Sequence, residues 1–142
     1  MQLAKSVYAV TNERAFSRDF GLRDQIRPTA VSVMSNMAEG FEGGGDVELR
    51  RFLLISKGSA GEVRAQLYVA LDAGMIDKVQ FDSLYKLSID VASLLAGLIR
   101  YLNKAAASHP MTSNLSLTFD LCQSICDLLA QRPRPSTSYN RV

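Results

Sequence analysis

Apolar residues recur at helical spacing along most of the first hundred positions of the chain. In the stretch 21–41 they fall three or four residues apart, which places them on one face of an α-helix. Residues 3–10, 46–73 and 77–104 repeat this pattern, and no stretch alternates as a β-strand would. Because short connections join the four amphipathic stretches, the pattern predicts an all-α protein with an up-down-up-down four-helix bundle over residues 1–104.

The chain changes character after this predicted bundle. Residues 105–142 read as a linker, a short additional C-terminal helix at about 115–130, and a flexible tail. Cys122 and Cys126 lie one turn apart in that short helix, and we interpret them as buried thiols of a protein that is not exported.

Glycines and capping residues mark the expected ends of the helices. Gly40 suits the carboxyl-terminal cap of the second helix, and Asp46 suits the amino-terminal cap of the third. Asp77 precedes the fourth helix and Gln80 follows three residues later, which is the spacing of a capping box. Pro28 lacks a backbone N–H, so the second helix either begins just before it or bends there.

Polar residues form a second line beside the apolar stripe on the second and third helices. Its members are Gln25, Ser32, Asn36 and Glu39 on the second helix and Ser59, Glu62 and Gln66 on the third. Lines of this kind on consecutive helices can meet and satisfy one another's hydrogen bonds. We interpret them as a structural polar network between the two helices.

A catalytic interpretation of the same line would make Glu39 or Glu62 a general base. The companions that such chemistry usually needs are missing, because His109 is the single histidine and lies in the linker. The glycines at 40–45 do not have the spacing of a phosphate-binding loop. We therefore expect no enzyme, no metal site and no cofactor.

Gly58 and Gly61 lie inside the predicted third helix. A glycine there costs about 1 kcal/mol relative to alanine, so a close approach of another backbone is expected in return. On a helical wheel both glycines point away from the face that carries Ser59 and Gln66. We expect a neighbouring subunit at this position.

Composition and charge narrow the class of protein. The chain has 142 residues, of which 47% are hydrophobic and 21% are charged, which is typical of one globular domain. Its net charge of +2 is too small to identify a nucleic-acid-binding protein by itself. No apolar run approaches the roughly 18 residues that a membrane span requires, so we expect a cytoplasmic protein without a membrane partner.

Several segments together resemble a known family. They are FGLRDQI (20–26), AVSVMSNMAEG (30–40), RFLLISKGSAGE (51–62), AQL (65–67) and DAGMID (72–77). In these segments the chain resembles the four-helix-bundle proteins encoded within intervening sequences of bacterial 23S ribosomal RNA genes. The resemblance implies a left-handed bundle that assembles as a homopentamer. It also implies similarity to the accessory protein of diversity-generating retroelements, a pentamer that binds a reverse transcriptase and nucleic acid through basic surfaces.

Two hypotheses on function follow. The first is a non-enzymatic oligomeric scaffold that binds structured RNA or DNA through basic patches, with Arg14, Arg18, Arg23, Arg27, Arg50 and Arg51 as candidate contacts. The same arginines have acidic neighbours, so a solvated charged surface is the other interpretation. The second hypothesis is a protein-interaction module that docks a nucleic-acid-processing enzyme or a host factor, for which the amphipathic segment 115–130 is suited.

Overall fold

The computed structural model describes residues 2–13, 16 and 18–108, and these form four α-helices without a strand. The helices are α1 (Gln2–Thr11), α2 (Phe20–Glu42), α3 (Asp46–Asp72) and α4 (Lys78–Ser108). The all-α prediction is confirmed, and α4 continues past the predicted end at residue 104. The predicted helix at 115–130, the tail and the two cysteines lie outside the described residues.

Contacts between the helices establish their antiparallel order. Gly40, near the end of α2, faces Phe52 near the start of α3, whereas Thr29 of α2 meets Gln66 of α3. The order also reverses between α3 and α4, because Arg50 reaches Asn103 and Arg64 reaches Ser88. The end of α1 lies beside the start of α2 and α4, through bonds from Arg27 and Gln80. The result is the expected up-down-up-down arrangement.

The core draws one buried stripe from each helix. On α2 the stripe is the predicted one, with Ile26, Ala30, Val33 and Met37 buried. On α3 the apolar residue Ile55 lies outside the buried stripe and is 43% exposed. The reason is that α3 packs against both α2 and α4, so its buried face is centred between them on Leu53, Ser56, Ala60, Val63 and Leu67.

The capping box at the start of α4 is confirmed. The backbone N–H of Asp77 donates to Oε1 of Gln80 at 3.0 Å, and the backbone N–H of Gln80 donates to Oδ1 of Asp77 at 2.7 Å. At α2, Asp19 is the cap and accepts a bond from the backbone N–H of Leu22 at 2.8 Å. Since α2 therefore begins at Phe20, Pro28 lies inside the helix rather than at its start.

The two caps expected around the turn between α2 and α3 are displaced. Asp46 is the first residue of α3, while Gly45 stands at the cap position with an extended backbone and no side-chain bond. Gly40 is not a cap, because α2 continues to Glu42. An added Cβ at Gly40 would lie 2.9 Å from Cβ of Phe52 and 3.3 Å from Cα of Leu49. Gly40 thus allows α2 and α3 to approach closely beside the turn.

Candidate nucleic-acid interface

The polar side chains expected to link the second and third helices mostly bond within their own helix. Ser32 donates to the carbonyl of Thr29, and Asn36 donates to the carbonyl of Ser32. Ser59 on α3 donates to the carbonyl of Ile55 at 3.3 Å. This corrects the expected network for the single chain, because a nearby carbonyl of the same helix is available to each short polar side chain without any contribution from the facing helix.

The remaining members of the expected network divide into one link and three exposed residues. Gln66 donates through Nε2 to Oγ1 of Thr29 at 3.3 Å and is the member that reaches α2. Gln25, Glu39 and Glu62 are exposed, so they do not pair across the two helices as expected. They lie beside the buried stripe but on its solvent side.

A buried link between α2 and α3 was missed from the sequence. The hydroxyl of Ser56, which is fully buried, donates to the backbone carbonyl of Val33 at 2.6 Å. Its sequence signal was its position four residues after Phe52 and four before Ala60, on the apolar stripe itself. Ser56 therefore holds the two helices together where the polar line was expected to.

Glu39 and Glu62 lie too far apart to act as a carboxylate pair on one bond. Glu39 is level with Phe52 of α3, as the contact of the adjacent Gly40 with Phe52 shows. Ten residues of α3 separate that level from Glu62, or about 15 Å along the axis. Among the described residues, no group of three or more His, Cys, Asp or Glu side chains is placed to hold a metal ion.

The arginines near the start of α2 are largely engaged within the chain. Arg27 donates through Nε to Oγ1 of Thr11 at 2.7 Å and through Nη2 to Oδ1 of Asn12 at 2.8 Å, and its guanidinium lies over the ring of Tyr8. Arg27 thus fastens α1 to α2.

Arg23 and Arg18 occupy the same end of the bundle as Arg27. Arg23 pairs with Asp24 at 2.9 Å and lies over the ring of Phe20. Arg18 is exposed, whereas Arg14 lies outside the described residues. Neutralised or structural arginines therefore make up much of the first candidate patch.

Arg50 and Arg51 lie near the opposite end of the bundle, so the structure does not bring the five described candidate arginines together. Arg51 pairs with Glu48 at 3.6 Å and lies over the ring of Phe52. Seventeen residues of α2 separate Arg23 from Gly40, which is level with the first turns of α3, or about 25 Å. Arg50 projects from a different side of α3 and belongs to the surface described next.

Three basic residues of α3 repeat every seven positions and form one flank of the helix. Arg50, Lys57 and Arg64 lie within about 40° of one another around the axis, because seven residues complete almost two turns. Arg50 donates through Nη1 to Oδ1 of Asn103 at 3.1 Å, and Arg64 donates through Nη1 to the carbonyl of Ser88 at 3.4 Å. The basic flank therefore borders α4.

Arg100 of α4 adds a fourth cation to this surface. It lies one turn before Asn103 and is exposed, level with the interval between the first two basic residues of α3. We call this surface the basic stripe, and its members are Arg50, Lys57, Arg64 and Arg100. Within the described part of the chain, none of the four forms an ion pair with a carboxylate.

The acidic residues of α3 project elsewhere. Glu48 and Glu62 lie on the flank that borders α2, roughly 140–180° around the axis from the middle of the basic flank. Positive and negative side chains of α3 therefore lie on opposite flanks of the helix. The overall charge of +2 does not reveal this separation. Sequence reasoning missed Lys57, Arg64 and Arg100, although the seven-residue spacing on α3 was available as a signal.

Comparison with known proteins identifies the family. No described helix is both long enough and apolar enough to cross a membrane, which agrees with the charged surfaces above. No curated protein and no solved structure matches the chain. The family model of the 23S rRNA-intervening sequence protein matches residues 1–97, more than half of the chain. The chain therefore belongs to the 23S rRNA-intervening sequence protein family.

Proposed function

We propose that the protein is a non-enzymatic helical scaffold that binds the phosphate backbone of structured RNA or DNA through the basic stripe. The observation that carries this proposal is the alignment of four cations along α3 and α4 without a carboxylate partner among the described residues. Cations that are already neutralised by neighbouring acids gain little from a phosphate, whereas unpaired ones retain their full charge.

The spacing of the stripe suits a polyanion. Successive basic residues on α3 are separated by about 10 Å, and the row from Arg50 to Arg64 spans about 21 Å. Arginine and lysine side chains bind phosphate oxygens through charge-assisted hydrogen bonds, which position a nucleic acid without reading its bases. We therefore propose binding that depends on backbone shape and charge, with little dependence on base sequence.

Assembly would strengthen this binding. The family resemblance implies a pentamer, and every copy in such a scaffold repeats the stripe. Repetition raises the local positive potential and allows one nucleic acid to contact more than one chain. The modest net charge of the single chain is then compatible with a substantial electrostatic footprint.

The experiment is a titration of a fluorescent RNA hairpin against the protein over a series of salt concentrations. We expect the logarithm of the association constant to fall linearly with the logarithm of salt concentration. The double variant R50Q/R100Q should bind more weakly, and the magnitude of its salt slope should fall by about two.

The matched control for this titration is K78Q, which removes an exposed cation already paired with Asp82 at 2.7 Å. It should leave the slope within about half a unit of the wild type, since a cation outside the binding surface contacts no phosphate and releases no counterion. An affinity that does not change with salt, or equal effects of R50Q/R100Q and K78Q, would refute the stripe as the binding surface.

A further inference from the structure

The side of α3 that faces away from the bundle is apolar and exposed. The residues on this side follow a seven-residue repeat. Their positions are separated alternately by three and four residues, so they lie in one line along the helix. The apolar and small members of this line, which we call the outer seam, are Val47, Leu54, Gly58, Gly61, Ala65 and Tyr68. Val47 is 73% exposed and Leu54 is 52% exposed, which is unusual for two large apolar side chains on one stripe.

Two further exposed apolar residues border the seam. Ile55 and Val69 are 43% and 55% exposed and lie on the flank nearest α2. Arg51 also lies at a position of the seam, but its guanidinium points to Glu48 and forms an ion pair with it. The exposed apolar surface therefore extends over most of the length of α3.

At the centre of the seam, no backbone of the described residues packs closely against the two glycines. An added Cβ at Gly58 would meet no atom within 4 Å, and one at Gly61 would meet only the flexible end of Arg64 at 3.5 Å. Glycine in a helix interior costs about 1 kcal/mol relative to alanine. Unlike Gly40, whose close neighbour belongs to the same chain, these two glycines leave room for an outside helix.

Charge on the two flanks of the seam identifies the partner. The flank toward α4 carries Arg50, Lys57 and Arg64, and the flank toward α2 carries Glu48 and Glu62. In a parallel pair of heptad helices, a residue on one flank faces the residue five positions later on the opposite flank of the partner. Lys57 of one copy would then face the position of Glu62 in the other.

Antiparallel packing of the same helix would be opposed by charge. In that orientation each flank meets the same flank of the other copy, so basic residues face basic residues and acidic residues face acidic residues. Neither Lys57 nor Glu62 forms an ion pair within the described part of the chain. Both side chains are exposed and available to a second copy.

We propose that the outer seam of α3 is the surface through which copies of this chain assemble, with the α3 helices parallel and Lys57 beside the neighbour's position 62. Gly58 and Gly61 allow the backbones to approach closely, while Leu54 and Val47 supply apolar contact toward one end. Parallel packing with unlike flanks in contact is compatible with closed cyclic assemblies, including a ring of five.

Tyr68 marks the other end of the seam. Its ring packs against Phe81 at 4.9 Å and against Tyr85 at 5.8 Å. A side-chain hydrogen bond with Tyr85 raises the pKa of Tyr68 above its ordinary value of 10.0.

This inference deepens the oligomeric part of the proposed function and is tested without nucleic acid, so that its failure would leave the salt-dependent binding of RNA open. The molar mass of the full chain is measured by analytical ultracentrifugation over a range of concentrations. We expect the wild type to self-associate. A wild type that remains monomeric up to its solubility limit would overturn the proposal. The same holds if the monomer binds a different protein through α3.

G58E places a charge at the centre of the seam, where the single chain has open space. We expect this variant to be a monomer that keeps the helix content of the wild type by circular dichroism, because glutamate is a better helix former than glycine. The matched control is G97E, at a helical glycine of α4 whose nearest contact is Arg100 at 4.0 Å. It should assemble like the wild type, and equal masses for the two variants would refute the seam.

Exchanging the charges of Lys57 and Glu62 tests the parallel orientation of the helices. This test does not depend on whether G58E folds. K57E and E62K should each weaken assembly about tenfold, because each places like charges together at every interface. The double variant K57E/E62K should return the dissociation constant to within about threefold of the wild type. Single variants that weaken assembly without recovery in the double variant would exclude the proposed pairing.

Discussion

At the scale of single residues, the helical glycines differ in what surrounds them. Gly40 is buried between α2 and α3, with Phe52 and Leu49 at distances that leave no room for a methyl group. Gly58 points into open space on the far side of α3. From the sequence alone, every one of these glycines lowers the helix propensity at its position. The reason that glycine stands there depends on which residue, if any, faces it in the structure.

We predict that G40A lowers the free energy of unfolding by about 1–2 kcal/mol, because overpacking at the contact with Phe52 outweighs the gain in helix propensity. Urea denaturation followed by circular dichroism measures the change. G97A is the matched control and should raise the free energy of unfolding by up to about 1 kcal/mol. Stabilisation by both substitutions would show that α2 and α3 do not pack closely at Gly40.

At the scale of whole helices, α1 differs from the others in length. It has 10 residues, or about 15 Å, whereas α2, α3 and α4 have 23, 27 and 31 residues. A helix this short is marginal by itself, so α1 depends on the burial of Leu3 and Val7 and on its bonds with Arg27. Arg27 therefore acts in the fold, although the sequence offered it as a nucleic-acid contact.

We predict that R27Q increases the hydrogen exchange rate of the α1 amides by about tenfold or more, because the charge-assisted bonds to Thr11 and Asn12 are lost. Exchange in the middle of α3 and α4 should remain close to that of the wild type. R18Q serves as the control, since Arg18 is exposed. Unchanged exchange in α1 of R27Q would mean that apolar contacts alone hold the helix.

At the scale of the whole molecule, charge is distributed unevenly between surfaces. The end of the bundle near Arg18 and Arg23 also carries Asp24, Asp72 and Asp77, so its charges are mixed. The basic stripe lies along α3 and α4 toward the other end, and the outer seam runs beside it on α3. One helix thus presents a cationic flank and an apolar face. Lys57 belongs to both proposed contacts, and in the assembly it faces the neighbour's position 62, which leaves Arg50, Arg64 and Arg100 to contact phosphate.

We predict that R18Q/R23Q changes the salt dependence of RNA binding by less than about half a unit, whereas R50Q/R100Q lowers its magnitude by about two. The physical reason is that Arg50 lies about 25 Å along the bundle from Arg23, and that Arg23 pairs with Asp24. The hairpin titration measures both variants side by side. A larger effect of R18Q/R23Q would place the binding surface at the start of α2 instead.

The spacing of residues along the sequence was sufficient to predict the four helices, their antiparallel arrangement and the capping box of Asp77 and Gln80. These features depend on residues within one or two turns of each other, where spacing alone carries the information. The predicted helix ends were less accurate, because a glycine such as Gly40 suits either a helix cap or a close helix contact, and at Gly40 the structure shows the close contact. Propensity does not distinguish the two.

The contacts between helices decided the rest. Ser56 and Ser59 look alike in sequence, yet Ser56 bonds to Val33 of α2 while Ser59 bonds within its own helix. Arg27 and Arg50 are equally basic, yet Arg27 bonds to Thr11 and Asn12 of the α1 end. Arg50 bonds to Asn103 and lies in a row of cations that have no carboxylate partner among the described residues. A side chain's partner depends on residues distant in the chain, and only the packed bundle brings those residues within hydrogen-bonding distance.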